Sequence, residues 1–165
     1  MQIIVLGIIF AVFVGVGIHL WRVYAARRRF FADWCAFCAH MGIEISFSKS
    51  YIAGVIERYG ESYGAHFRDV VSGYKRLLDE KLDVTRDAVD GLMWHRLRMD
   101  ERAALVDFFV GLGRHGCGEE ATKLDGSKMV ADGLHQRAVG EVRTRASIYL
   151  KLCIIVGIGS VILLV

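Results

Sequence analysis

The sequence predicts an all-α fold: an antiparallel bundle of about six helices, with a transmembrane helix at each end. Three observations predict it. The 21 basic and 18 acidic residues all fall between Arg22 and Lys151, so residues 1–21 and 152–165 carry no side-chain charge. Between those ends, apolar residues recur at spacings of three and four, the period of helices packed on one face. Proline, the strongest helix breaker, is absent from all 165 residues. The length suits one soluble domain, and the expected boundaries are 1–21, 22–147 and 148–165. A net charge of +3 is too small to point to nucleic acid by itself.

The first apolar run, 2–20, is long enough as a helix to span roughly 28 Å, about the hydrocarbon thickness of a bilayer. His19 and Trp21 then fall at interface depth. A cleaved signal peptide is the rival reading. It fits poorly, because no side-chain charge precedes the run and Trp21-Arg22 follow it where a small-residue cleavage site belongs. The second run, 148–165, is shorter in its charge-free part. It reaches spanning length only if Lys151 extends its ammonium to the headgroups, and a monotopic insertion is the alternative. Arg22, Arg27, Arg28 and Arg29 follow the first run, and Arg143 and Arg145 precede the second. Both clusters flank the middle domain, so the positive-inside rule places that domain in the cytoplasm and both termini across the membrane. Glycines at 15, 17, 157 and 159 would let the two helices approach closely.

Within the middle domain, Ile52, Val55, Ile56 and Tyr59 form one helical stripe. Phe67, Val70, Val71 and Tyr74 form a second, extended by Leu77 and Leu78, and Leu105, Phe108, Phe109 and Leu112 form a third. Gly42 is expected to bend the first helix. Ser48 or Ser50 can cap the next, residues 60–64 separate it from its successor, and Asp83 and Asp100 are the expected N-caps of two more. Gly113, Gly116 and Gly118 mark the clearest break. After it, 119–147 reads as one mostly polar helix with a thin stripe of Ala131, Leu134, Ala138 and Val142, feeding the second apolar run.

Residues that could carry chemistry are few. Cys35 and Cys38 form a lone C-x-x-C with no second ligand pair for zinc and no βαβ setting for a redox motif. On a helix they share one face, and packing is the simpler reading. The histidines show no metal-ligand spacing, and no nucleophile elbow or phosphate loop is present. Glu119-Glu120 suit a helix start better than an acid–base pair. Glu44 lies in an apolar stretch, where a carboxylate faces solvent or is buried with a partner. No cofactor, metal or small-molecule substrate is expected, and the chain reads as a non-enzymatic membrane scaffold.

Three ordered blocks give the sequence a family likeness: Glu44-Ile45 at the end of a helix, Leu112-Gly113 after Phe108-Phe109, and Tyr149-x-Lys151 followed by Gly157. In this order, between two apolar ends, the chain resembles the stage III sporulation protein AB family over essentially its whole length. Gly116 and Glu120 stand where that family usually has Asp and Gln. The resemblance implies a soluble domain similar to the cytoplasmic domains of type II secretion system protein F. It also implies partners among the other products of the sporulation operon, including a secretion-type ATPase. The implied location is the mother-cell membrane facing the forespore, in a transenvelope complex, and homo-oligomerisation is open. Two other functions stand beside it: a platform subunit of a secretion or pilus system outside sporulation, and a membrane redox or metal protein using Cys35 and Cys38.

Overall fold

The computed structural model describes residues 2–47, 52–112 and 117–164, all of it helix, turn or short loop. The helices are α1 (Gln2–Phe47), α2 (Ile52–Tyr59), α3 (Ala65–Asp79), α4 (Arg86–Asp90), α5 (Met99–Gly111), α6 (Cys117–Glu141) and α7 (Ser147–Leu164). A 3-10 turn at Gly60–Ser62 precedes α3, and a π-turn at Val142–Ala146 joins α6 to α7. The side chains of 1–6, 9, 45–51, 113–121, 161 and 163–165 are outside the described set. Among the described residues no helix is long and apolar enough to cross a membrane. Both expected spans, 2–20 and 148–165, include side chains outside that set.

The chain divides into two compact units, one of residues 1–28 with 136–165 and one of residues 29–135. The second unit has an aromatic core. Residues 29–47 of α1 bury Phe30, Phe31, Trp34, Phe37 and Met41, at successive steps of one, three, three and four residues that keep one face inward. The Phe37 ring meets those of Tyr63, Phe67, Phe108 and Phe109 at centroid distances of 5.9–6.1 Å. Such edge-on and tilted pairs add about 0.5–1.5 kcal/mol each beyond area burial. The stripes on α2, α3 and α5 supply the opposing surface: Val55, Ile56, Phe67, Val70, Val71, Tyr74, Leu105 and Phe109 are all buried.

Helix ends in this unit are fixed by backbone geometry. Asp33, on α1, accepts the Gly64 N–H at the start of α3 at 2.9 Å, a cap supplied from another helix. A Cβ at Gly64 would stand 2.9 Å from Asp33 Oδ2 and 3.0 Å from Arg29 Nε, so a larger residue would displace these side-chain ends. At the other end of α3, the Lys81 N–H donates to the Leu78 carbonyl and the Leu82 N–H to the Leu77 carbonyl. These are the two bonds of a Schellman motif. Its left-handed position, Lys81 with φ 52°, normally holds glycine. Arg102 on α5 clasps Asp90 at the end of α4 through two side-chain nitrogens, and its Nη2 donates to Asp90 Oδ2 at 2.7 Å and to the Asp90 carbonyl at 2.8 Å.

Several boundaries differ from expectation. Gly42 lies inside α1, which continues without interruption over 46 residues. The cap of α4 is Thr85, whose hydroxyl accepts the Ala88 N–H at 3.3 Å, and not Asp83. The chain reaches helical geometry two residues after Asp83, where a hydroxyl already serves. Asp100 lies inside the first turn of α5, with Arg98 at the cap position. The Arg98 N–H donates to Glu101 at 2.9 Å. This is half of a capping box, since arginine has no acceptor for the other half. Ser48, Ser50, Gly113 and Gly116 are outside the described residues, and Gly118 is already in α6. The long polar helix reaches α7 through the π-turn instead of continuing as α-helix.

In the first unit, residues 2–28 of α1 lie antiparallel to α7. A Cβ at Gly17 would sit 3.0 Å from Leu150 Cδ1 and 3.1 Å from Cys153 Cβ, and one at Gly157 would sit 3.0 Å from Phe10. Gly17 and Gly157 are therefore the close-approach glycines. Among the described residues, an added Cβ at Gly15 or Gly159 would have nothing within 4 Å, in contrast to Gly17 and Gly157. Tyr24 stacks on Tyr149 with centroids 6.5 Å apart.

Candidate functional site

The charged end of this hairpin gathers most of the residues singled out in the sequence. Arg27 is only 7% exposed and donates through Nη1 to Glu141 Oε2 at 2.8 Å. The pair sits next to the π-turn, and Ala138, before the turn, and Ala146, its last residue, are buried. Eight α-helical steps would turn Ala146 about 80° from Ala138. A π-turn absorbs one extra residue, which leaves seven effective steps and an offset of about 20°. The widened turn thus keeps α6 and α7 facing the same way. The Thr144 hydroxyl donates to the Gly140 carbonyl at 2.7 Å within it.

The remaining cations of this unit point outward. Arg22, Arg28, Arg137, Arg143, Arg145 and Lys151 are exposed, and Tyr149 is 42% exposed beside the last of them. Arg29 is exposed too, in the other unit. The expected topology determinants therefore divide: Arg27 is neutralised inside the protein, while the others present their charge at the surface. From the family motif, Tyr149, Lys151 and Gly157 are brought together in this unit.

The other motif positions are in residues 29–135. Glu44 is buried and pairs with Arg58 Nη1, so its apolar setting is satisfied by an ion pair instead of by solvent. The Ile45 side chain and Gly113 are outside the described residues. Leu112 is buried and lines a cavity of about 480 Å³ with Trp34, Phe108, Leu124, Ser127 and Val130. His40 stacks on Tyr59 with centroids 4.0 Å apart, and its Nδ1 is 2.8 Å from the Tyr63 hydroxyl. Burial is the main cause that raises the Tyr63 phenol, and it raises the Asp33 carboxyl against the opposing pull of the Gly64 N–H and Arg29.

Cys35 and Cys38 are free thiols. Burial pushes each up to about 12, with the Asp132 carboxylate adding to both. A thiol held protonated in this way is a poor nucleophile and a poor metal ligand. Among the described residues, no group of three or more His, Cys, Asp or Glu is placed to hold a metal ion. The arrangement offers packing, charge pairing and a cationic surface.

Two features were not anticipated from the sequence. The aromatic stripe of α1 is legible at its three- and four-residue spacing, but the C-x-x-C motif within it masks that pattern. The Arg27–Glu141 pair has no local signal, since its members are 114 residues apart.

Neither a curated protein nor a solved structure matches the chain. The profile of one family, described as stage III sporulation protein AB, matches residues 2–165. With nearly every residue covered, this chain belongs to the stage III sporulation protein AB family.

Proposed function

We propose that the chain is a non-enzymatic platform subunit of a transenvelope, secretion-like complex between mother cell and forespore. In this reading α1 and α7 cross the mother-cell membrane and residues 29–135 face the cytoplasm. The family assignment supplies a role in sporulation. The observation that carries the membrane half is the aliphatic outer face of the hairpin. Ile8, Val12, Ile155 and Ile162 are 59–70% exposed, a pattern that costs free energy in water and none in hydrocarbon. Charge-free runs at 1–21 and 152–165 support the same reading. The bundle would then take the part of a type II secretion protein F cytoplasmic domain, with a secretion-type ATPase among its partners.

The test combines two measurements on the full chain in sporulating cells. Alkaline carbonate should leave the chain in the membrane pellet, while detergent releases it. Photocrosslinkers on exposed positions of residues 29–135 should capture a secretion-type ATPase encoded beside it. Release by carbonate would refute the crossing, and crosslinks confined to proteins outside the sporulation operon would refute the platform role.

A further inference from the structure

The charges of the two units differ in sign. Residues 1–28 and 136–165 hold seven basic residues and one acid, Glu141, whereas residues 29–135 hold fourteen basic and seventeen acidic ones. The hairpin unit is therefore +6 and the bundle −3, which the overall +3 conceals. Its one carboxylate is already engaged by buried Arg27 at 2.8 Å. Arg22, Arg143, Arg145 and Lys151 are exposed. Among the described residues none of these four has a carboxylate within ion-pair distance.

The outward apolar face determines what the counter-charge is. These cations border aliphatic surface: Ile148, Leu152 and Ile155 are exposed on the same helix as Lys151. Trp21, 44% exposed, directly precedes Arg22. A ligand that satisfies both must carry anionic and hydrocarbon parts in one molecule, which is the chemistry of an anionic phospholipid. Guanidinium groups are suited to this, since their planar fork binds two phosphate oxygens at once. Lys151, further along the helix, can reach the headgroup plane by extending its stem.

We infer that Arg22, Arg143, Arg145 and Lys151 form a collar that selectively recruits anionic phospholipid headgroups around the hairpin. The inference rests on the membrane reading above and goes beyond it, because insertion alone requires no lipid preference. The buried pair has a part in it: with Glu141 held by Arg27, the unit offers the collar no carboxylate of its own.

Trp21 is a reporter within the collar. The full chain is reconstituted into vesicles of phosphatidylcholine and phosphatidylglycerol, with brominated acyl chains on one lipid or the other, and tryptophan quenching is measured. A Trp21→Phe chain gives the background from Trp34 and Trp94. The collar predicts that brominated phosphatidylglycerol quenches Trp21 well beyond its mole fraction. The preference should collapse near 1 M salt, where the screening length is about 3 Å. Arg143→Gln with Arg145→Gln should lower the relative affinity about fivefold for each charge removed. Equal quenching by the two lipids at every salt concentration would overturn the collar while leaving insertion standing. No quenching by either lipid would overturn the membrane reading itself, and the collar with it. The salt titration uses the wild-type chain, so the outcome does not depend on the variant folding.

Discussion

Replacing Arg27 with methionine tests the buried ion pair most directly. The substitution keeps an unbranched apolar stem on α1 and leaves Glu141, whose side chain is 15% exposed, facing a site without its guanidinium. Breaking one side of a buried pair costs about 3–5 kcal/mol, because the remaining charge stays desolvated. The residual exposure of Glu141 places the cost at the low end, about 3 kcal/mol. For a chain of this size each kcal/mol moves the melting temperature by about 2–4 °C, so Arg27→Met should lower it by about 6–12 °C. Adding Glu141→Leu should restore most of that loss, since a hydrophobic replacement of both partners is often neutral. Circular dichroism melts of wild type, both single variants and the double variant in detergent close the cycle. The reasoning fails if Arg27→Met melts within about 1 °C of wild type, or if the two single losses simply add. On the membrane reading proposed above, charge reversal at Arg28 should disturb orientation more than stability, and reversal at Arg27 the opposite.

Lys81→Gly should raise stability by about 0.5–1 kcal/mol, because glycine adopts the left-handed conformation of the Schellman position without steric cost; a loss in denaturant unfolding would contradict the assignment. Cys35 and Cys38, pushed up to about 12, should alkylate at pH 8 roughly a thousandfold more slowly than in the unfolded chain. Peptide mapping after a timed pulse reads this, and labelling at the unfolded rate would show the thiols to be ionised. Asp33→Ala should cost about 1 kcal/mol through the lost cap on α3, whereas Asp33→Asn keeps an acceptor for Gly64. Burial raises the Asp33 pKa, so the native state holds that proton to higher pH than the unfolded chain. Its favourable contribution is complete below the unfolded value of about 3.9 and declines as pH rises through the folded one. Wild type should therefore lose stability relative to Asp33→Asn over that rise, and parallel pH profiles would refute the cause.

The helices that could be read from sequence were those with a polar face to contrast with an apolar one. On α3, polar residues alternate with Phe67, Val70, Val71 and Tyr74 at helical spacing, and all four are buried. The same logic found α2, the apolar run of α5 and the thin stripe of α6. On α1 the stripe of Phe30, Phe31, Trp34, Phe37 and Met41 is harder to see, because Cys35, Cys38 and other apolar residues between its members blur the contrast of faces. Caps were displaced by two residues at α4 because Asp83 and Thr85 are both good cap residues and only the backbone path chooses between them. The charged end of the hairpin was visible as a basic flank. That one of its arginines is internal required the partner on α6, which no local pattern supplies.

The π-turn at Val142–Ala146 makes the chain unequally tolerant of length changes. It already stores one residue more than a straight helix needs. Deleting a residue there would let α6 and α7 merge into one α-helix while Glu141, Ala146 and Gly157 kept their present bearings. Inserting one would have no slack to absorb it, and would swing α7 by about 100°, carrying Gly157 away from Phe10. Natural variation in length between α6 and α7 should therefore run in one direction, toward loss.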